Sequence, residues 1–173
     1  MSTSTSSRGR SRVSEAPVVN SSPLIYLAHS GLLPLLEVVG TPIRVPGAVA
    51  AEIKRRGPED PTARALRAVP WLEEIGSMVP HPRVALWNLG PGETAVLSWA
   101  LDHPGCVAIL DDRAGRRCAE FLGIRFIGTL GIVLRAKRLG RVDSARPLVQ
   151  RLQEAGMYLS DRVLEPALTL VGE

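Results

Sequence analysis

Short apolar runs alternating with helix-like segments predict a three-layer α/β domain with a mainly parallel sheet. Residues 106–110 (CVAIL) form an uninterrupted β-rich run, as expected of a parallel strand covered on both faces. The other strand-like runs are also short and apolar, and a helical pattern follows each of them. The 173 residues suit one globular domain with a real core, and no internal repeat or second domain is visible.

Residues 1–16 read as a disordered tail rich in Ser, Thr and Arg, and the domain is expected over 17–173. Pro17 to Asn20 is a short buried strand. Ser21-Ser22-Pro23 then starts a helix, with Ser as N-cap and Pro at the first helical position. That helix stops at Gly31, and a second short one runs from Leu32 to Val39. Ile43 to Val45 is a strand closed by Pro46, and a helix follows from Gly47 to Arg56. Residues 58–90 hold five prolines, a helix over Thr62 to Ala68 and extended pieces around Trp71 to Val79. A helix from Pro91 to Asp102 leads into CVAIL, and Asp111 and Asp112 close that strand and open a helix to Leu122. Arg125 to Ile127 is another strand. Helices near residues 128–139, 144–155 and 160–170 complete the chain.

No apolar run reaches the roughly 20 residues that span a membrane. The first residues lack the apolar segment of a secretory signal, so a cytoplasmic location is expected by elimination. Lys and Arg exceed Asp and Glu by 21 to 17, a formal charge of +4, which is weak support for an anionic partner. Cys106 and Cys118 form no C-x-x-C pair and are expected as buried free thiols.

In open α/β sheets, ligands bind beyond the carboxyl ends of the strands. Asn20, Ser21 and Ser22 follow the first predicted strand, and Asp111 and Asp112 follow CVAIL, so both groups should face one crevice. Helical phase adds two carboxylates. Glu52 borders the stripe of Val49 and Ile53, and Glu93 lies in line with Val96 and Leu97. A carboxylate beside an apolar stripe needs a partner, and a hard cation is one. Asn20, Glu52, Glu93, Asp111 and Asp112 together suit Mg²⁺ or Mn²⁺, which prefer oxygen ligands. With metal, such a site can deprotonate a water, orient it and stabilise the departing oxygen. Each residue also has a structural alternative. Asn20 and Ser22 can cap a helix, Glu93, Asp111 and Asp112 suit a helix N-terminus, and Glu52 can pair with Lys54 to Arg56. Convergence on one crevice favours the functional reading.

Five blocks occur in order. They are Val18-Val19-Asn20-Ser21-Ser22-Pro23-Leu24-Ile25-Tyr26-Leu27-Ala28, Val45-Pro46 through Val49 and Glu52, Leu89-Gly90-Pro91-Gly92-Glu93-Thr94-Ala95, Leu110-Asp111-Asp112-Arg113-Ala114-Gly115-Arg116-Arg117, and Gly128-Thr129-Leu130-Gly131. At this spacing the chain resembles the PIN-domain family of VapC-like toxin ribonucleases, and within it an uncharacterised bacterial and archaeal PIN-like subgroup. The resemblance implies a compact α/β/α fold with a short central sheet. It also implies Mg²⁺- or Mn²⁺-dependent cleavage of RNA, often as the toxin that a small antitoxin protein holds, with homodimerisation plausible. Carried over, Glu52, Glu93 and Asp112 are the catalytic carboxylate ligands, with Asp111 beside them. The family's first acid falls on Asn20, an amide that can bind a cation without contributing charge, which leaves an attenuated or catalytically silent nucleic-acid- or protein-binding module as the alternative.

Arg113 and Arg116 are the better candidates for substrate phosphate contact, with Ser22 supplying a hydroxyl nearby. Arg117 and Arg135 fit a solvated helix face. His29, His81 and His103 show no metal spacing, and Trp71, Trp87 and Trp99 read as packing residues.

Overall fold

The computed structural model describes residues 15–173. The tail expected over residues 1–16 therefore lies, up to residue 14, outside the described residues. In chain order the elements are β1 (Val18–Val19), α1 (Ser21–His29), a 3₁₀ helix (Leu33–Val38), β2 (Ile43–Pro46), α2 (Gly47–Arg55), α3 (Pro61–Ala68) and β3 (Leu72–Ile75). They continue with α4 (Pro82–Ala85), α5 (Pro91–Asp102), β4 (Val107–Ile109), α6 (Arg113–Leu122), β5 (Arg125–Ile127), α7 (Thr129–Arg138), α8 (Arg146–Glu154) and α9 (Asp161–Thr169).

The strands form one sheet in the order β3-β2-β1-β4-β5, with every neighbouring pair parallel. Helices flank it in the three-layer arrangement that the sequence pattern predicts. The inner strands are covered on both faces: Val18, Val19, Ile43, Val45, Ala108 and Ile109 are 0% exposed. That is why these runs are apolar throughout instead of alternating. Each such Val or Ile side chain contributes about 1.5–3 kcal/mol by leaving water. The edge strand β3 (sequence LEEI) carries two glutamates, and Glu73 pairs with Arg44 of β2 while Glu74 accepts from Lys54 Nζ at 2.7 Å. Charge on an edge strand discourages pairing with a further chain.

Two elements differ from the sequence expectation. The extended pieces near Trp71 resolve into one strand, β3, while Pro82–Ala85 is a short helix with His81 as its N-cap. The start of α1 also differs. Asn20 occupies the N-cap position without a side-chain capping bond, and Ser22 and Pro23 lie inside the first turn. The side chains of Asn20 and Ser21 are engaged elsewhere, as described below. Cys106 and Cys118 are buried free thiols, and burial pushes the Cys106 thiol up to about 11. Among the described residues no helix is long and apolar enough to cross a membrane.

Helix α3 is anchored by Asp60, whose carboxylate accepts from Thr62 N at 2.8 Å, from Arg56 Nε at 2.9 Å and lies 3.1 Å from His29 Nε2. Burial alone would raise its pKa, but the donors Arg56, Thr62 and His29 outweigh burial and hold the carboxyl well below the usual range. The unfolded chain therefore binds this proton more readily than the folded one. The stabilisation is complete above the ordinary Asp value of 3.8 and is lost as the pH falls below it. In urea titrations, Asp60→Asn should lower stability at pH 6 and narrow the difference between pH 6 and pH 3. An unchanged difference would show that the acid limb arises elsewhere.

Candidate active site

The strand order reverses between β1 and β4, so the crevice of this sheet opens beyond the ends of Val19 and Ile109. Asn20 follows directly on β1, and its backbone N–H donates to Ile109 O at 2.9 Å, which locks the two strand ends together. The Asn20 side chain is 1% exposed, and its Nδ2 donates to Glu93 Oε1 at 2.7 Å. One residue later, Ser21 Oγ donates to Glu52 Oε2 at 2.9 Å. The end of β1 thus holds two carboxylates from two different helices, Glu52 on α2 and Glu93 on α5.

Close approach makes this possible. A methyl group on Gly92 would stand 2.6 Å from Asn20 Oδ1, so the first turn of α5 can lie against Asn20 only because that residue is glycine. Asn20 Oδ1 itself is buried and has no hydrogen-bond donor among the described residues. A buried acceptor without a donor costs about 1–3 kcal/mol.

At the end of β4, Leu110 is buried and the two aspartates diverge. Asp111 accepts from Thr129 N at 2.7 Å and from Thr129 Oγ1 at 2.6 Å, tying the end of β4 to the first residue of α7. Burial raises the pKa of its carboxyl, and the Thr129 hydrogen bonds and the Arg116 charge oppose that shift without reversing it. Asp112 is exposed and is the N-cap of α6, with Oδ2 accepting from Gly115 N at 2.9 Å. Glu93 reaches the same turn, since its Cγ lies 3.4 Å from where a Cβ on Gly115 would stand.

A cleft of about 800 Å³ opens here, and Ser22, Glu93, Asp111, Asp112, Arg113 and Arg116 all line it. The structure thus brings six of the expected residues to one cavity. Asn20 sits behind Glu93, buried, and Glu52 lies beside Ser21 without lining the cleft. Arg116 also lies over the ring of Phe126, 5.5 Å from its centroid. Among the described residues no three acidic, His or Cys side chains converge closely enough to hold one ion by themselves.

The sequence places Ser21 at the crevice without giving it a role, and it does not single out Thr129. Both directly follow a strand or its end residue, so the strand-end rule that found Asp111 extends to them. Tyr26 and Tyr158 line the cleft too, and nothing in their sequence neighbourhood signals it. His29 pairs with Asp60, His81 caps α4 and His103 stacks on Trp99, all away from the cleft. Trp71, Trp87 and Trp99 pack against the core.

A family model described as a PIN domain matches residues 16–173. No curated protein and no solved structure matches the chain.

Proposed function

The chain belongs to the PIN-domain family, whose members are typically nucleases, and from that premise we propose that it is a metal-dependent endoribonuclease hydrolysing RNA phosphodiester bonds. The observation that carries this reading is the meeting of Glu93, Asp111 and Asp112 in one cleft at the reversal point of the sheet.

The donor set fits a hard cation. It is all oxygen, it includes the unpartnered buried Asn20 Oδ1, and it has the Asp111 carboxyl whose buried charge calls for a positive neighbour. Mg²⁺ keeps several waters and needs only one or two carboxylates, so a complete protein cage is not required. In this reading Glu93 and Asp112 are the direct ligands, while Glu52, a direct ligand by the family resemblance, does not line the cleft and completes the surrounding shell with Asp111 and Asn20. When bound, Mg²⁺ or Mn²⁺ activates water and neutralises charge on the departing oxygen.

The chain's own residues do the rest. Asn20 fixes the orientation of Glu93 through its amide, and Thr129 fixes Asp111 through two hydrogen bonds. Arg113 and Arg116, on the first turns of α6, offset the acids and hold substrate phosphate. Ser22 contributes a hydroxyl at the same wall. Cleavage of total RNA in Mn²⁺ should be lost in EDTA and restored by added metal. Cleavage that persists in EDTA would overturn the metal-dependent reading.

One observation favours a catalytically silent module that binds nucleic acid or a protein: the neutral Asn20 amide already occupies one Glu93 oxygen. Calorimetry with Mn²⁺ separates the two, since no binding at millimolar metal supports the silent module. Within the family we place the chain as a cytoplasmic toxin of a toxin–antitoxin pair. A neighbouring gene for a small DNA-binding antitoxin supports that placement, and an isolated gene counts against it. Sedimentation tests the homodimer that the family suggests.

A further inference from the structure

The chain is poor in aromatic residues, with three Trp, two Tyr and two Phe, yet both tyrosines and one phenylalanine line the acidic cleft. Glu93, Asp111 and Asp112 line the cavity with Arg113 and Arg116, and so does Tyr158, from the turn between α8 and α9, with Met157 and Leu159 beside it in sequence. Tyr158 is 88% exposed. The face of Phe126 is already covered by Arg116, so Phe126 is not the free platform. Of the exposed aromatic side chains among the described residues, Tyr158 lines this cleft and Phe121 does not. An acidic end that holds phosphate through a cation, beside an exposed ring on an apolar base, is complementary to a nucleotide.

We propose that Tyr158 is a specificity-determining residue that stacks an unpaired nucleobase next to the phosphate held at the acidic end. This rests on the nuclease reading, and the base that Tyr158 stacks must be unpaired, because a base paired in a duplex has no free face for the ring. Stacking on a single aromatic ring is sequence-tolerant, since every base has a π-face.

The test measures cleavage of labelled single-stranded oligoribonucleotides in Mn²⁺ by the full chain, with thermal melts confirming that each variant is folded. Tyr158→Ala should raise KM about 5- to 150-fold with kcat nearly unchanged, and Tyr158→Phe should restore KM. Scanning an abasic residue along the oligonucleotide should give wild type one position of high KM, and Tyr158→Ala should lose that sensitivity. If wild type cleaves and Tyr158→Ala has the same KM and abasic profile, stacking is overturned while the nuclease reading stands. A Tyr158→Ala defect that Tyr158→Phe fails to rescue also overturns it, because the hydroxyl and not the ring would then be the contact. If folded wild type neither binds nor cleaves the oligonucleotides, both readings fall, and the exposed ring is left to a protein partner.

Discussion

Glu93→Gln is expected to lower RNA cleavage by about 10²- to 10³-fold, the loss typical of removing one charge-stabilising group from a transition state. The substitution is close to isosteric. Asn20 Nδ2 now donates to Glu93 Oε1 at 2.7 Å, and a glutamine oxygen in the same place still accepts that bond, without the carboxylate's charge assistance. The helix start at Gly90 and Pro91 does not depend on the Glu93 charge beyond a dipole contribution of about 0.3–1 kcal/mol. Activity and stability should therefore separate: cleavage falls steeply, the melting temperature moves little, and Mn²⁺ affinity measured by calorimetry weakens. Full activity in Glu93→Gln would remove this residue from the chemistry and, with it, the reading of the cleft as catalytic.

Asn20→Asp should make the protein more dependent on metal and a faster nuclease. It converts the 2.7 Å amide-to-carboxylate hydrogen bond into two facing carboxyl groups, with the new one buried where Asn20 is 1% exposed. Without a cation, like charges this close drive one group to hold a proton, and the loss of the bond costs about 1–3 kcal/mol. For a chain of this size, each kcal/mol corresponds to roughly 2–4 °C in Tm. A divalent cation reverses the balance, because the added charge then favours binding. At a hundredfold excess over Kd, ligand binding stabilises by about 2.7 kcal/mol. Melting with and without Mn²⁺ should accordingly give a larger rise for Asn20→Asp than for wild type, and cleavage should increase. If the Mn²⁺-dependent rise is no larger and cleavage is unchanged, the amide at position 20 does not limit the site.

The comparison of these two residues also marks how far the sequence could be read. The phase of Glu93 against Val96 and Leu97 and its place after Pro91 and Gly92 were visible as a one-dimensional pattern, and the structure places it at the cleft. The partner of Glu93 was not visible. Asn20 lies 73 positions away, and their contact depends on the packing of α5 against β1 and on the small side of Gly92. Capping propensity pointed the other way. An Asn, Ser or Asp before a helix is expected to bond its own first turn, and Asp112 does so, but Asn20 and Asp111 do not. Both of their side chains are drawn across the strand ends to distant partners, where burial makes an unshared polar group costly.

The segment from Pro58 to Gly90 was the least legible for a related reason. Its prolines mask the period of β3 and α4, and β3 is held as an edge strand by Arg44 and Lys54 from other elements. Edge strands have only one neighbour and a half-exposed face, so they lack the apolar continuity that marked CVAIL.

By itself, then, the amino-acid order determined the alternation of strands and helices, the parallel sheet, and the acids placed at strand ends and helix starts. These are local properties, carried by burial and helical phase. The tertiary structure alone decided that Asn20 grips Glu93, that Ser21 holds Glu52, that Thr129 clasps Asp111, and that Tyr158 stands at the rim of the same cleft. Each of those contacts joins residues far apart in sequence, and hydrogen bonds across a folded sheet leave no period in the chain from which to read them. The acidic site was in that sense predictable as a place, and its inner wiring only as a consequence of the fold.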